Sequence, residues 1–183
     1  MRIITGKFRG RHITVPHTFK ARPTTDFAKE NLFNVLRAYL DFPQTQALDL
    51  FSGTGSITLE LLSRGCPRVE SVERDRQHAA FIAATLRQLG VSQAECALRC
   101  TCALRYVQRY AGPGFDFIFA DPPYSLPELP ELPERIMSQP ALLRPGGLLV
   151  LEHGANYDFS ARPDFLEHRA YGSVNFSFFR REE

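Results

Sequence analysis

The first 22 residues contain no Asp or Glu. They carry Arg2, Lys7, Arg9, Arg11, Lys20 and Arg22, a local charge of +6 in a 183-residue chain whose formal net charge is only +2, which leaves the rest at −4. A small acidic body with a basic arm points to a polyanionic partner. No apolar run approaches the roughly 18–20 residues that span a bilayer. Met1-Arg-Ile-Ile-Thr-Gly6 lacks the apolar stretch and cleavage site of a secretory leader, so neither membrane insertion nor export is expected. Four cysteines, Cys66, Cys96, Cys100 and Cys102, are too few for a disulfide framework in a chain of this length, and a reducing cytoplasm is the expected compartment. Three of them fall within seven residues, yet no Cys-x-x-Cys pair occurs and no fourth ligand is adjacent. They share strand parity, so one buried face explains them and no metal is expected. No repeat at a solenoid period is visible.

What remains is ordinary globular composition, 44% hydrophobic and 23% charged. The length suits one domain over 1–183, with a basic hairpin arm over 1–24 and a core over 25–183. Apolar runs at 47–51, 69–73, 115–120 and 147–152 read as short buried strands, and 56–64, 76–89 and 103–110 between them as helices. That alternation predicts an α/β fold, a mostly parallel, doubly wound, Rossmann-like sheet. The tail, 165–170 and 174–180 around Tyr171-Gly172-Ser173, predicts an antiparallel edge hairpin. At the start, 2–5 and 12–15 form a candidate β-hairpin packed on the sheet. Thr24-Thr25-Asp26 then offers a cap for a helix over 27–40, with Phe27, Leu32, Phe33, Val35, Leu36 and Leu40 as its apolar face.

Two segments carry chemistry. In Leu48-Asp-Leu-Phe-Ser-Gly-Thr-Gly55, Gly53 and Gly55 let a strand turn tightly into a helix and let a ligand approach the backbone. Thr58 stands where a dinucleotide fingerprint needs a third small residue, so pyrophosphate binding is not expected. Asp49 instead puts a carboxylate at the strand's carboxyl end, suited to a cationic group. Glu73 ends the next strand 18 residues after Gly55, where an acid can accept both hydroxyls of a ribose. Each feature alone is also compatible with a plain β–α turn or a solvated strand end; together they describe a nucleoside site. The second segment is Asp121-Pro122-Pro123-Tyr124, directly after the apolar strand at 115–120. Its prolines restrict the backbone, so the Asp121 carboxylate and the Pro122 carbonyl converge as acceptors on one amine. Tyr124 offers a face on which a base stacks, worth roughly 1–3 kcal/mol. Such acceptors orient an exocyclic amine on a planar ring and stabilise the charge that develops on its nitrogen.

These motifs make the chain similar to class I S-adenosylmethionine-dependent methyltransferases that act on amines. With Arg2-Ile-Ile-Thr-Gly6, Arg9-Gly-Arg11, Arg22-Pro-Thr-Thr-Asp26, Asn31–Leu36 and Glu60–Gly65 in matching order and spacing, it resembles the bacterial 16S rRNA guanine-N2 methyltransferase family (the RsmD type) from residue 2 to about 152. The resemblance implies that Asp49, Ser52, Gly53 and Gly55 hold the methionine part of the cofactor, that Glu73 binds its ribose, and that Arg22 and Thr24 border its carboxylate end. Asp121 to Tyr124 would hold the guanine. Three positions depart from the family pattern: Thr58 for glycine, expected to matter for helix packing more than for binding; Thr85 for asparagine; and Cys102 for an aspartate near the adenine amine, where the alternatives are a lower cofactor affinity or a backbone carbonyl as substitute.

The expected activity is therefore methyl transfer from S-adenosylmethionine to a guanine N2 in 16S rRNA or the small ribosomal subunit. The enzyme would be a cytoplasmic monomer whose Arg2, Lys7, Arg9 and Arg11 bind phosphates without reading sequence. The alternatives are transfer to DNA adenine-N6, for which the chain has no room for a target-recognition domain, or to a protein glutamine, where relatives favour Asn at the Asp121 position. A catalytically inactive RNA-binding assembly protein and an NAD oxidoreductase are rivals of other classes. The run 126–133, with Glu128 and Glu131, reads as a loop beside the base pocket, either a gate or a solvated linker.

Overall fold

The computed structural model describes residues 1–20 and 24–183, so the expected role of Arg22 lies outside the described residues. Helix α1 (Asp26–Leu36) is capped by Thr25, whose side-chain oxygen accepts from the Ala28 amide at 3.2 Å. It ends four residues earlier than the apolar periodicity suggests. The amides of Ala38 and Tyr39 turn to the carbonyls three residues back, which frees Tyr39 to donate its hydroxyl to Glu167 at 2.7 Å. Leu32, Phe33 and Leu36 are buried, but Phe27 points outward, edge-on to Tyr171.

The core follows as β1 (Gln46–Leu50), α2 (Ser56–Ser63), β2 (Arg68–Val72), α3 (Arg76–Gln88), β3 (Cys96–Arg99), α4 (Ala103–Arg109), β4 (Phe115–Ala120), α5 (Leu132–Met137), β5 (Leu143–His153), β6 (Phe165–Tyr171) and β7 (Val174–Arg180). The seven strands take the order β3-β2-β1-β4-β5-β7-β6. The first five are parallel, and β7 runs antiparallel between β5 and β6. Strand periodicity divides the core between two faces. In β4, Phe117 and Phe119 meet α1, α2 and α3, whereas Ile118 and Ala120 meet α4 and α5. The chain winds outward in both directions from β1 and β4, so the switch point, where such sheets open a crevice at their carboxyl ends, lies between those two strands.

Strand parity does not hold for the cysteines. Cys96 is buried in β3, Cys100 is exposed beyond it and Cys102 caps α4, so no one face collects them. The run 126–133 is also more than a loop: Leu129 begins a 3-10 turn, Leu132 begins α5, and both are fully buried.

The N-terminal hairpin closes through one antiparallel bridge, Arg2 to His12, flanked by the Ile3 amide on the Arg11 carbonyl and the Ile13 amide on the Met1 carbonyl. It packs on helices and not on the sheet. Glu60 of α2 accepts from the amides of Ile4 (2.9 Å) and Thr5 (3.0 Å), and the Lys7 amide donates to the Ser63 carbonyl. The fully buried Lys29 of α1 donates to the Arg2 carbonyl and to Ser56 Oγ, 3.7 Å from Glu60. Gly6 has φ +92°, and a Cβ there would overlap the Ser63 carbonyl, so this docking requires glycine. A buried lysine whose donors are all directed at the arm and at α2 makes the arm part of the fold.

Candidate functional site

The crevice is built first by the turn after β1. Phe51 has φ +61°, rare for a bulky residue and costly by on the order of 1–2 kcal/mol, and it marks this turn as held in place by its surroundings. The Ser52 amide donates to the Val72 carbonyl at 3.0 Å and the Gly53 amide to Glu73 Oε2 at 2.7 Å, which ties the loop to the end of β2. Gly55 caps α2 at φ +80°, and a Cβ there would stand 3.0 Å from Ile82 of α3. The glycines thus serve both conformation and close approach.

Asp49 is 1% exposed. Its Oδ2 accepts from the Thr58 amide (3.0 Å) and the Thr58 hydroxyl (2.6 Å). Thr58 therefore does more than pack its helix: it orients the carboxylate directly. The Ser52 hydroxyl turns inward, donating to the Asp49 carbonyl at 2.8 Å and accepting from Ser71 at 2.7 Å. Burial pushes the Asp49 carboxyl up to about 7, partly offset by Thr58 and Ser52. Glu73 holds its loop with both oxygens, Oε1 accepting from the Asp75 amide at 2.8 Å. Cys102 stands at the start of α4, on the same carboxyl edge of the sheet. Thr85 is satisfied within its own helix by the Phe81 carbonyl at 2.9 Å and does not reach toward the loop.

Asp121 follows β4 directly, its amide donating to the Leu50 carbonyl at 3.3 Å, so the tetrad begins beside the β1 turn. Pro122 is buried; Pro123 and Tyr124 are exposed. Asp121 keeps some accessible surface, yet the surrounding protein holds its carboxyl well above the usual carboxylate range, through desolvation first, then Glu152 and Asp49. Glu152 is a site residue that the sequence reading missed. It lies near the end of β5, 6% exposed, accepting the Tyr124 hydroxyl at 3.0 Å and the Thr24 hydroxyl at 3.4 Å. Burial pushes its carboxyl up to about 7; burial first, and then the neighbouring Glu152, raises the Tyr124 hydroxyl. Its signal was available as an acid closing an otherwise apolar strand at the carboxyl edge of a doubly wound sheet.

The structure thus brings together Asp49, Ser52, Gly53, Gly55, Glu73, Asp121 to Tyr124 and, through Glu152, Thr24. It does not bring the whole basic arm to them. Arg2 lies near the first turn of α1, 3.8 Å from Asp26, but Lys7 pairs with Glu95 at 3.1 Å beyond the far end of α2. Eight helical residues place that end about 12 Å from the glycine loop. Arg9 and Arg11 are exposed and form no ion pair among the described residues.

A family model described as conserved hypothetical protein 95 matches residues 1–180. The chain belongs to this family. Ribosomal RNA small subunit methyltransferase D of Haemophilus influenzae is 33% identical over 153 residues, covering 83% of this chain and 78% of that protein. The protein of the same name from Escherichia coli K12 is 34% identical over 124 residues, covering 68% of this chain and 60% of that one. The solved structure of a hypothetical protein from Thermus thermophilus superposes with a TM-score of 0.82 at 27% identity, covering 100% of this chain and 99% of the other. Family and fold agree with the resemblance carried by the glycine loop and the Asp-Pro-Pro-Tyr tetrad. No helix among the described residues is long and apolar enough to cross a membrane.

Proposed function

We propose that this chain methylates the exocyclic N2 amine of a guanine in 16S rRNA, using S-adenosylmethionine. One observation carries the reading: the β1 turn, with its buried Asp49 and ribose-type Glu73, opens directly onto Asp121-Pro-Pro-Tyr124. The donor set fits the cofactor. A buried carboxyl with no Lys, Arg or His against it among the described residues suits an ammonium group. Asp49 would hold that group, Glu73 the ribose hydroxyls and the Cys102 segment the adenine. When bound, S-adenosylmethionine supplies a methyl on a cationic sulfur, open to direct displacement. Asp121 and the Pro122 carbonyl accept from the amine and turn its lone pair toward that methyl; the proton lost from nitrogen passes to the carboxylates. Tyr124 stacks the extruded base. The names of the curated relatives favour rRNA over DNA or protein glutamine. We place the enzyme in the cytoplasm as a monomer; its four free thiols fit that compartment, and the buried Lys29 clamp supports arm and core working as one unit.

Mass mapping of rRNA from a strain lacking this gene tests the substrate, with one missing N2-methylguanine in 16S rRNA expected. An unchanged modification map sinks the reading. The arm has its own test. Arg9→Glu with Arg11→Glu should weaken RNA binding about tenfold or more at low salt and flatten its salt dependence, while cofactor affinity holds. Equal loss of both would show that these arginines support the fold.

A further inference from the structure

We propose that Glu152 accepts the N1–H of the target guanine, so that two neighbouring carboxylates read the base's two adjacent donors and exclude purines lacking that proton. The inference rests on the guanine-N2 reading and gives it a source of base selectivity. Ala120, the last residue of β4, pairs in register with Leu151, so Asp121 leaves the sheet beside Glu152 of β5, where neighbouring strands are about 4.8 Å apart. The two carboxyls act on each other directly. The Tyr124 ring is fixed at the same place. Its hydroxyl donates to Glu152 Oε1 at 3.0 Å, and its Cδ2 would be 3.5 Å from a Cβ at Gly154. The stacking face, the amine acceptor and a second carboxylate therefore surround one position.

Glu152 keeps acceptor capacity there. Its two oxygens offer about four lone-pair sites, of which Tyr124 and Thr24 use one each. Among the described residues no Lys, Arg or His pairs with Asp121 or Glu152, so the remaining capacity faces whatever donors enter. Guanine presents N2–H and N1–H side by side. Adenine presents its amine beside a bare N1 lone pair, which a carboxylate repels. A pocket that needed only an amine and a stacking face would be served by Asp121 and Tyr124 alone.

The test uses a short RNA spanning the methylated position, made with guanine, hypoxanthine (N1–H, no amine) or 2-aminopurine (amine, no N1–H). Binding is measured by fluorescence anisotropy at pH 8 with S-adenosylhomocysteine present, on the wild type, Glu152→Gln and Tyr124→Phe. The wild type should bind the hypoxanthine RNA about ten- to hundredfold more tightly than the 2-aminopurine RNA. In Glu152→Gln that ratio should collapse toward one, since an amide can also donate to the bare nitrogen. In Tyr124→Phe the ratio should persist even if all affinities fall. Because each ratio compares RNAs on one protein sample, a partly folded variant does not alter it. An unchanged ratio in Glu152→Gln, or a ratio lost equally in Tyr124→Phe, overturns the proposal and leaves Glu152 as a brace for Tyr124. If the wild type methylates no guanine RNA, the guanine-N2 reading itself fails; methylation with an unchanged ratio defeats only the role of Glu152.

Discussion

Asp121→Ala is expected to slow single-turnover methyl transfer by about 10²–10³-fold, the usual cost of removing one preorganised polar partner of a developing charge. Cofactor affinity should stay within a few-fold, because Asp121 meets the amine and the turn is held by its backbone bond to Leu50. The pH dependence is more telling. Desolvation, Glu152 and Asp49 all hold the Asp121 carboxyl above its ordinary range. A raised carboxyl keeps its proton to higher pH, and only the ionised form is a pure acceptor. The wild-type rate should therefore keep rising with pH above the ordinary carboxylate range as the Asp121–Glu152 pair ionises. Asp121→Asn keeps an acceptor oxygen of similar shape but cannot titrate, so its slow rate should rise less steeply. Quench-flow rates from pH 6 to 9 decide the matter. A full wild-type rise in Asp121→Asn would assign the limb to another carboxylate, and an undiminished rate in Asp121→Ala would remove Asp121 from the chemistry.

The two motifs were legible because each is a local event. A strand that carries Asp49 next to its end and turns at Gly53 and Gly55, or a strand followed at once by Asp121 and two prolines, fixes its geometry within a few residues. The alternation of runs likewise announced the parallel sheet and the tail hairpin. Glu152 was legible only as an acid closing an apolar strand; its place in the site was not, because its partners stand 28 and 128 residues away and only the β4–β5 register brings it toward Asp121. Phe51 gave no sign either, since phenylalanine is not a residue that announces a left-handed turn. The arm misled in a different way. Its sequence suggested packing on the sheet with its charges at the site, whereas Glu60 and Lys29, both far along the chain, bind its backbone to α2 and α1. Charge is read from composition; what satisfies a backbone amide is read only from packing.

Asp49→Asn should abolish most cofactor binding and yet raise the stability of the ligand-free protein. The folded-state carboxyl sits at about 7 against an ordinary 3.8, so between those values the folded state holds a proton that the unfolded chain has released. Stability therefore falls as pH rises through that window, and the cost is fully present above pH 7, up to about 4 kcal/mol. Asparagine has no charge to bury, and its Oδ1 can still accept from the Thr58 amide and hydroxyl. At pH 8 the variant should melt several degrees higher; at pH 4, where wild-type Asp49 is neutral, the gain should vanish. Binding moves the opposite way. A buried ammonium that loses its carboxylate loses about 10²-fold or more in affinity. For the wild type, ligand binding favours ionised Asp49, so affinity should strengthen as pH rises from 6 to 8 and binding near pH 7 should release protons. Calorimetry in buffers of different ionisation enthalpy measures that release, and thermal melts at the two pH values measure the stability. A variant that binds S-adenosylmethionine normally would show that the ammonium lies elsewhere. One that loses both binding and stability would show that the Asp49 charge holds the turn and not the ligand.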